Sequence, residues 1–432
     1  MQEEREAPPD HHCGQHSERR DQSAKTIDVA DYIQRAKDNL FFGQKLFDKA
    51  ILDHGKGAYL YDTEGKEYLD FVAGIAVTSL GHCHEAFTQA LKAQLDKGTQ
   101  FCNYYYNVPA IEAAEKIVKA SKLSKVFFCN SGTEGNEGAL KVAKKYAATR
   151  NKPVNAAGEY EVISMSHSFH GRTMGSLGAT NNPAYQSVFV PKIACAREAE
   201  FNNLESVKAL VTDSTCAILT EVLQGEGGII EGKKEFFQGL RQLCDERDIL
   251  LIFDEVQCGM GRLGSLFAHD LYGVKPDVLV LAKALGGGIH VGAFVVAKKL
   301  DGILSRSEHG NTYGLNPFSC AAVNAVFDIY EKENLVEHAR VMGEYLKGKI
   351  QTLVDKYDFA LEQRGLGLMQ GLKVSVDITD VELRAFDKGL LIIGAGPEVI
   401  RFIPALIVTE KEIDRCIDIL DEIFAEIAAE RH

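Results

Sequence analysis

An α/β fold, with a large domain on a mostly parallel sheet and a smaller α+β domain, is what this 432-residue sequence predicts. Three observations carry that reading. Short apolar runs alternate with helical patterns through the middle of the chain, and these runs are continuously apolar. After about Pro317 the pattern changes to long helices and a few short strands. Continuously apolar strands are buried on both faces, the condition of a parallel sheet covered by helices.

The elements follow in order. Residues 1–26 read as a disordered polar tail; its acids (Glu3, Glu4, Glu6, Asp10, Glu18, Asp21) and lack of an apolar stretch oppose a targeting signal. Its His11, His12, Cys13 and His16 read as solvated side chains, not a metal site. Ala58–Tyr61 and Glu67–Phe71 form a hairpin around Thr63-Glu64-Gly65. Helical periodicity marks Ala86–Lys97 and Ala110–Ala120. Strand Val126–Cys129 leads through a glycine turn to a helix ending near Tyr146. Further buried strands are Val162–Met165, Cys216–Leu219, Ile249–Phe253 and Val278–Leu281. Helices Phe318–Lys332 and Leu335–Tyr357, short strands and an amphipathic helix Glu410–Ala429 complete the chain. Residues 27–85 are assigned to the small domain with 321–432, the hairpin packing against the C-terminal part, and 86–320 form the large domain.

Composition excludes several classes. Lys and Arg number 48 against 61 Asp and Glu, a net charge of −13, which opposes nucleic acid or an anionic membrane surface as partner. Ten cysteines without a CxxC pair read as thiols in a reducing, cytoplasmic compartment. No apolar run approaches the roughly 18 residues of a membrane span.

Chemistry concentrates in a few segments. Asn130-Ser131-Gly132-Thr133-Glu134-Gly135-Asn136-Glu137 joins strand to helix, so it is either an anion-binding helix N-terminus or an ordinary N-cap. Ile249–Phe253 followed by Asp254-Glu255 resembles a Mg²⁺-binding strand, but no G-x-x-x-x-G-K-[ST] partner exists. The GxGxxG match at Gly259–Gly264 is coincidental, because a dinucleotide fingerprint joins its strand directly to a helix. What remains is Asp254 at the carboxyl end of a buried parallel strand, where α/β proteins bind ligands. Lys283 closes the apolar run Val278–Ala282 before Gly286-Gly287-Gly288; such a lysine either snorkels outward or is a desolvated amine nucleophile. Three glycine-flanked clusters accompany these: Ser168–Thr173, Gln224–Gly228 and His309–Gly314.

Together these segments resemble the class III, or ω, aminotransferases among the pyridoxal-phosphate enzymes, and within them the acetylornithine subgroup. The likeness runs from about Ile27 to the C-terminus; the spacings 283 − 254 = 29 and 312 − 283 = 29 match the family's pattern. It implies fold type I, with a mostly parallel seven-stranded sheet in the large domain. It implies that Lys283 is the Schiff-base lysine and that Asp254 faces the pyridine nitrogen. Gln257 would bond the phenolic oxygen and Phe169 would stack on the ring. Ser131, Gly132 and Thr133 would hold the phosphate, joined by Thr312 from a partner subunit, so a homodimer is expected. Arg172, with Asn311 nearby, would bind a substrate carboxylate. Arg401 would bind the second carboxylate and Glu226 would mask it. No metal is expected, and His82 and His84 are taken as structural. The implied reaction moves the terminal amine of acetylornithine to 2-oxoglutarate. Ornithine, succinylated-diamine and 4-aminobutyrate aminotransferases, and an aminomutase of the glutamate-1-semialdehyde type, share fold and lysine. Departures from the family's pattern are His290 for proline, Leu315 for a second glycine, Gly135 and Gly138 for alanines, and Glu85 for proline.

Overall fold

The computed structural model describes residues 27–41, 47–190 and 196–431. The N-terminal tail, with its histidines and Cys13, lies outside them.

The central sheet has seven strands in the order Lys125–Cys129, Gly292–Val296, Val278–Leu281, Leu250–Asp254, Thr215–Glu221, Glu161–Met165, Ala196–Ala199. All run parallel except Gly292–Val296, which is antiparallel to both neighbours. Four of the five inner strands, Thr215–Glu221, Leu250–Asp254, Val278–Leu281 and Gly292–Val296, are buried at every position. Two strands were not among those expected from the sequence. Ala196–Ala199 carries Arg197 and Glu198, which an edge strand tolerates because one side is solvated. Gly292–Val296 begins with a glycine because a Cβ there would press into the backbone of Ser131.

Helix Gly132–Thr149 lies on this sheet through Ala139, Val142, Ala143 and Tyr146. The departures at Gly135 and Gly138 have a packing cause. A Cβ at Gly135 would come within 2.8 Å of Val280, and one at Gly138 would enter the Phe294 ring. Two glycines thus bring the helix close to the sheet.

The second lobe holds two four-stranded sheets. Leu52–Lys56, Tyr59–Asp62 and Glu67–Asp70 are antiparallel, and Leu390–Leu391 pairs parallel with the last, Leu390 opposite Leu69. The hairpin is thus extended by a strand from the C-terminal part of the chain. Ala360–Leu366, Met369–Val374, Val399–Phe402 and Ile393–Gly394 form the other sheet. Helices Leu335–Lys356 and Glu410–Glu430 pack together beside it, the latter opened by a Thr409–Glu412 capping box. Helix ends elsewhere fall within two residues of the sequence reading, except that helix Gly132–Thr149 runs three residues past Tyr146.

The GxGxxG segment leads only into a five-residue 3₁₀ turn, Ala268–Tyr272. Its fully buried Arg262 instead ties two carbonyls, those of Leu368 and Pro404, from the second lobe. No disulfide joins the eight cysteines among the described residues, and no described helix is long and apolar enough to cross a membrane.

Candidate active site

A cavity of about 430 Å³ opens at the carboxyl ends of strands Leu250–Asp254 and Val278–Leu281. Ser131, Gly132, Thr133, Phe169, Arg172, Glu226, Asp254, Gln257 and Lys283 all line it. Lys283 sits two residues past its strand, opening the 3₁₀ turn Lys283–Gly286, rather than inside the strand end itself. Its φ of +47° lies in the left-handed region, which costs a residue with a Cβ roughly 1–2 kcal/mol. Removal from water drives the Lys283 pKa below that of an ordinary lysine; Glu226, Asp254 and Glu221 oppose the shift, and Arg401 adds to it. A lowered pKa leaves more free amine near neutrality, the form that attacks a carbonyl.

Asp254 is 3% exposed. Its Oδ2 accepts from Asn136 Nδ2 at 2.7 Å and lies 2.8 Å from His170 Nδ1; its Oδ1 accepts the Val256 N–H at 3.0 Å. These contacts fix the carboxylate at the cavity floor. Parallel register sets Glu221 beside it on the neighbouring strand. Glu221 is buried and accepts the N–H groups of Phe169 and Gly225, at 3.1 and 3.3 Å. Burial, with the Asp254 charge adding to it, lifts the Glu221 carboxyl well above the usual carboxylate range.

The N-cap reading of the 130–137 segment holds, and it leaves room for the anion-binding one. Ser131 is the N-cap, its Oγ accepting the Glu134 N–H at 3.3 Å. Its helix still presents first-turn N–H groups at Gly132 and Thr133, which line the cavity. Gly132 is required there, because a Cβ would stand 2.7 Å from Val256. Thr133 Oγ1 bonds to Thr173 and Ser176 hydroxyls, at 2.8 and 2.5 Å.

At the opposite wall Arg401 Nη1 donates to Glu226 Oε1 at 2.5 Å and to Gln257 Oε1 at 3.3 Å. Burial alone would raise the Glu226 pKa, but Arg401 overrides it and holds the carboxyl below its usual range. Arg172 reaches out from Phe169, its guanidinium 3.8 Å from the centre of the Tyr185 ring.

Asn311 and Thr312 are not among the residues lining this cavity. Asn311 shapes its own turn, donating to Phe128 O and accepting the Gly314 N–H. Thr312 is exposed, its carbonyl held by Gln100. His82 contacts Asp70 and His84 contacts Glu333, and no metal-holding cluster occurs among the described residues. Sequence reasoning missed Asn136, His170 and Glu221. Asn136 and His170 lie in quoted motifs, but only the strand order brings them to Asp254. His290 lines the cavity mouth with Ile289 and Val291. Leu315, in the glycine position, has φ +65°.

The residues fit pyridoxal phosphate. They offer a desolvated amine, a buried carboxylate for a ring nitrogen, an aromatic face and a helix N-terminus for phosphate. Glycines keep the cradle clear at Gly132 and at Gly171, where a Cβ would strike Thr133. The buried Nε2 of His170 and Oδ1 of Asn136, both on cavity-lining residues, have no protein partner.

Comparison with known proteins places the chain by class. The family described as aminotransferase class-III matches residues 44–424, so the chain belongs to the class-III aminotransferases. The acetylornithine aminotransferase of Methanocaldococcus jannaschii is 45% identical over 379 residues, covering 87% of this chain and 94% of the relative. That of Clostridium acetobutylicum is 44% identical, covering 86% and 95%. Among solved structures, the ornithine aminotransferase of Toxoplasma gondii superposes with a TM-score of 0.89 at 27% identity, over 94% of this chain and 97% of that one.

Proposed function

We propose that this chain is a pyridoxal-phosphate enzyme transferring the terminal amine of N-acetylornithine, or a similar ω-amino acid, to 2-oxoglutarate. The products are N-acetylglutamate semialdehyde and glutamate, formed in two alternating half-reactions. The names of the curated relatives support the substrate. The observation that carries the reading is the Glu226–Arg401 pair beside Lys283. The cofactor supplies an electron sink for the carbon that loses its proton. Lys283 Nζ takes up and returns that proton. Asp254 orients the ring through its nitrogen, and Phe169 and the helix N-terminus restrain ring and phosphate. Arg172 holds the donor's far carboxylate. Glu226 masks Arg401 while the amine end of the donor is present, and yields it to the α-carboxylate of glutamate or 2-oxoglutarate. Thr312 serves a second copy's site in a homodimer, and the enzyme works in the cytoplasm.

Glu226→Ala tests the gate. The glutamate half-reaction should gain on the ω-amine half-reaction by about tenfold in relative kcat/KM. Unchanged preference removes the gate. Omitting 2-oxoglutarate in a donor panel separates transamination from an aminomutase, which needs no external acceptor.

A further inference from the structure

A second cavity, of about 550 Å³, shares the Glu226 side chain with the first. Its walls include Tyr185, Ile378, Ile393 and Pro397, with Thr379 and Asp377 as polar members. The cavities meet again where Arg172, lining the first, lies against the ring of Tyr185, lining the second.

This junction bears on the donor. With its terminal amine at Lys283 and its far carboxylate at Arg172, its acyl nitrogen is bonded to the same carbon as that carboxylate. The acyl carbon is then three bonds from the carboxyl carbon, within about 4 Å. The second cavity adjoins that position through Tyr185, which lies against Arg172, and through Glu226. Apolar and polar groups line this cavity about equally; Glu226, Asp377 and Glu382 are its acids, and no Lys, Arg or His is among the described residues lining it. Asp377 fronts it as N-cap of helix Ile378–Asp387, accepting the Thr379 N–H at 2.9 Å, so that helix end already holds an anion. Glu382, also in the wall, accepts the Gly394 N–H at 2.8 Å.

We infer that this second cavity seats the donor's acyl group and selects a short uncharged acyl, such as acetyl, over one ending in a carboxylate. The inference rests on the reading of the site as a terminal-amine transaminase. A carboxylate-ended acyl group would enter a space walled by Glu226, Asp377 and Glu382, with no cation among the described lining residues.

The test compares kcat/KM of the holoenzyme for N-acetylornithine, N-succinylornithine and 4-aminobutyrate, the last lacking any group at that carbon. Acetyl should exceed succinyl by about tenfold or more. Two variants then change the charge of the wall. Thr379 is exposed, so Thr379→Lys adds a cation without burying one. Asp377→Asn removes a charge and keeps an equally good helix cap. The succinyl-to-acetyl ratio should rise by about tenfold with the first and about threefold with the second. Equal turnover of the two acyl donors by the wild type overturns the inference, as does a ratio that neither variant moves. Reaction of 4-aminobutyrate with neither acyl donor also overturns it. Only silence toward every terminal amine brings down the functional reading as well.

Discussion

Two regions of the molecule stand on different terms, one lining the cavity and one outside it. At the strand ends, Lys283, Asp254 and the N-terminus of helix Gly132–Thr149 are supplied by one chain and held by buried partners. Across the surface, loop 96–107 and segment 309–316 are tied to each other, Gln100 to Thr312, Asn103 to Asn311 and Asn107 to Leu315. Yet this layer shows Tyr104, Tyr105 and Tyr106 at 80%, 73% and 96% exposure. Isolated exposed apolar residues mean little, but a contiguous cluster marks a surface that another molecule covers. The first region is chemically complete in a single chain, whereas the second is organised internally and unfinished externally. That difference marks where the proposed second copy would sit.

The sharpest way to break the comparison is at the complete region. Lys283→Ala should reduce transamination by about 10⁴-fold or more, because no neighbouring amine replaces the nucleophile. It should also abolish the covalent absorbance band of the holoenzyme, followed by spectrophotometry. Next comes the unfinished region. A Tyr105→Glu, Tyr106→Glu double variant should sediment as a monomer and lose activity by about 10²-fold, since charge at the core of an interface is strongly unfavourable. A fully active monomer would remove the role of Thr312 in a partner's site.

Smaller effects refine the picture. Glu221→Gln strands one backbone N–H and should cost about 1 kcal/mol at low pH. Because burial raises the Glu221 pKa, wild-type stability from this group is full below the ordinary carboxylate range. It declines as pH rises through the raised value, so the difference in Tm between wild type and variant should shrink with pH. Leu315→Gly relieves a left-handed φ of +65° in the unfinished layer and should stabilise by about 1 kcal/mol, read as a higher Tm.

The left-handed backbone at Ala73-Gly74-Ile75-Ala76, with φ of +48°, +64°, +64° and +62°, shows how far local sequence misleads. Alanine and isoleucine avoid this conformation, and nothing in the segment announces it. The surrounding contacts impose it: Val77 beyond the turn lines the cavity, and strain of this kind persists only where neighbours over-determine it.

The buried parallel strands, the helix N-terminus after Cys129 and the placement of Asp254 at a strand end were readable from residue order. Their signals are local: runs of apolar side chains, a capping serine and glycines without room for a Cβ. The family likeness then assigned roles to those residues. Residue order did not show that Asn136 and His170 would converge on Asp254 or that Glu221 would lie in register with it, and the meeting of Arg401 with Glu226 across 175 positions was expected only through the family likeness. Those contacts depend on strand order and on the packing of one lobe against the other. Hydrogen bonds and charges act over a few ångströms, so only the assembled fold decides which distant residues come within reach.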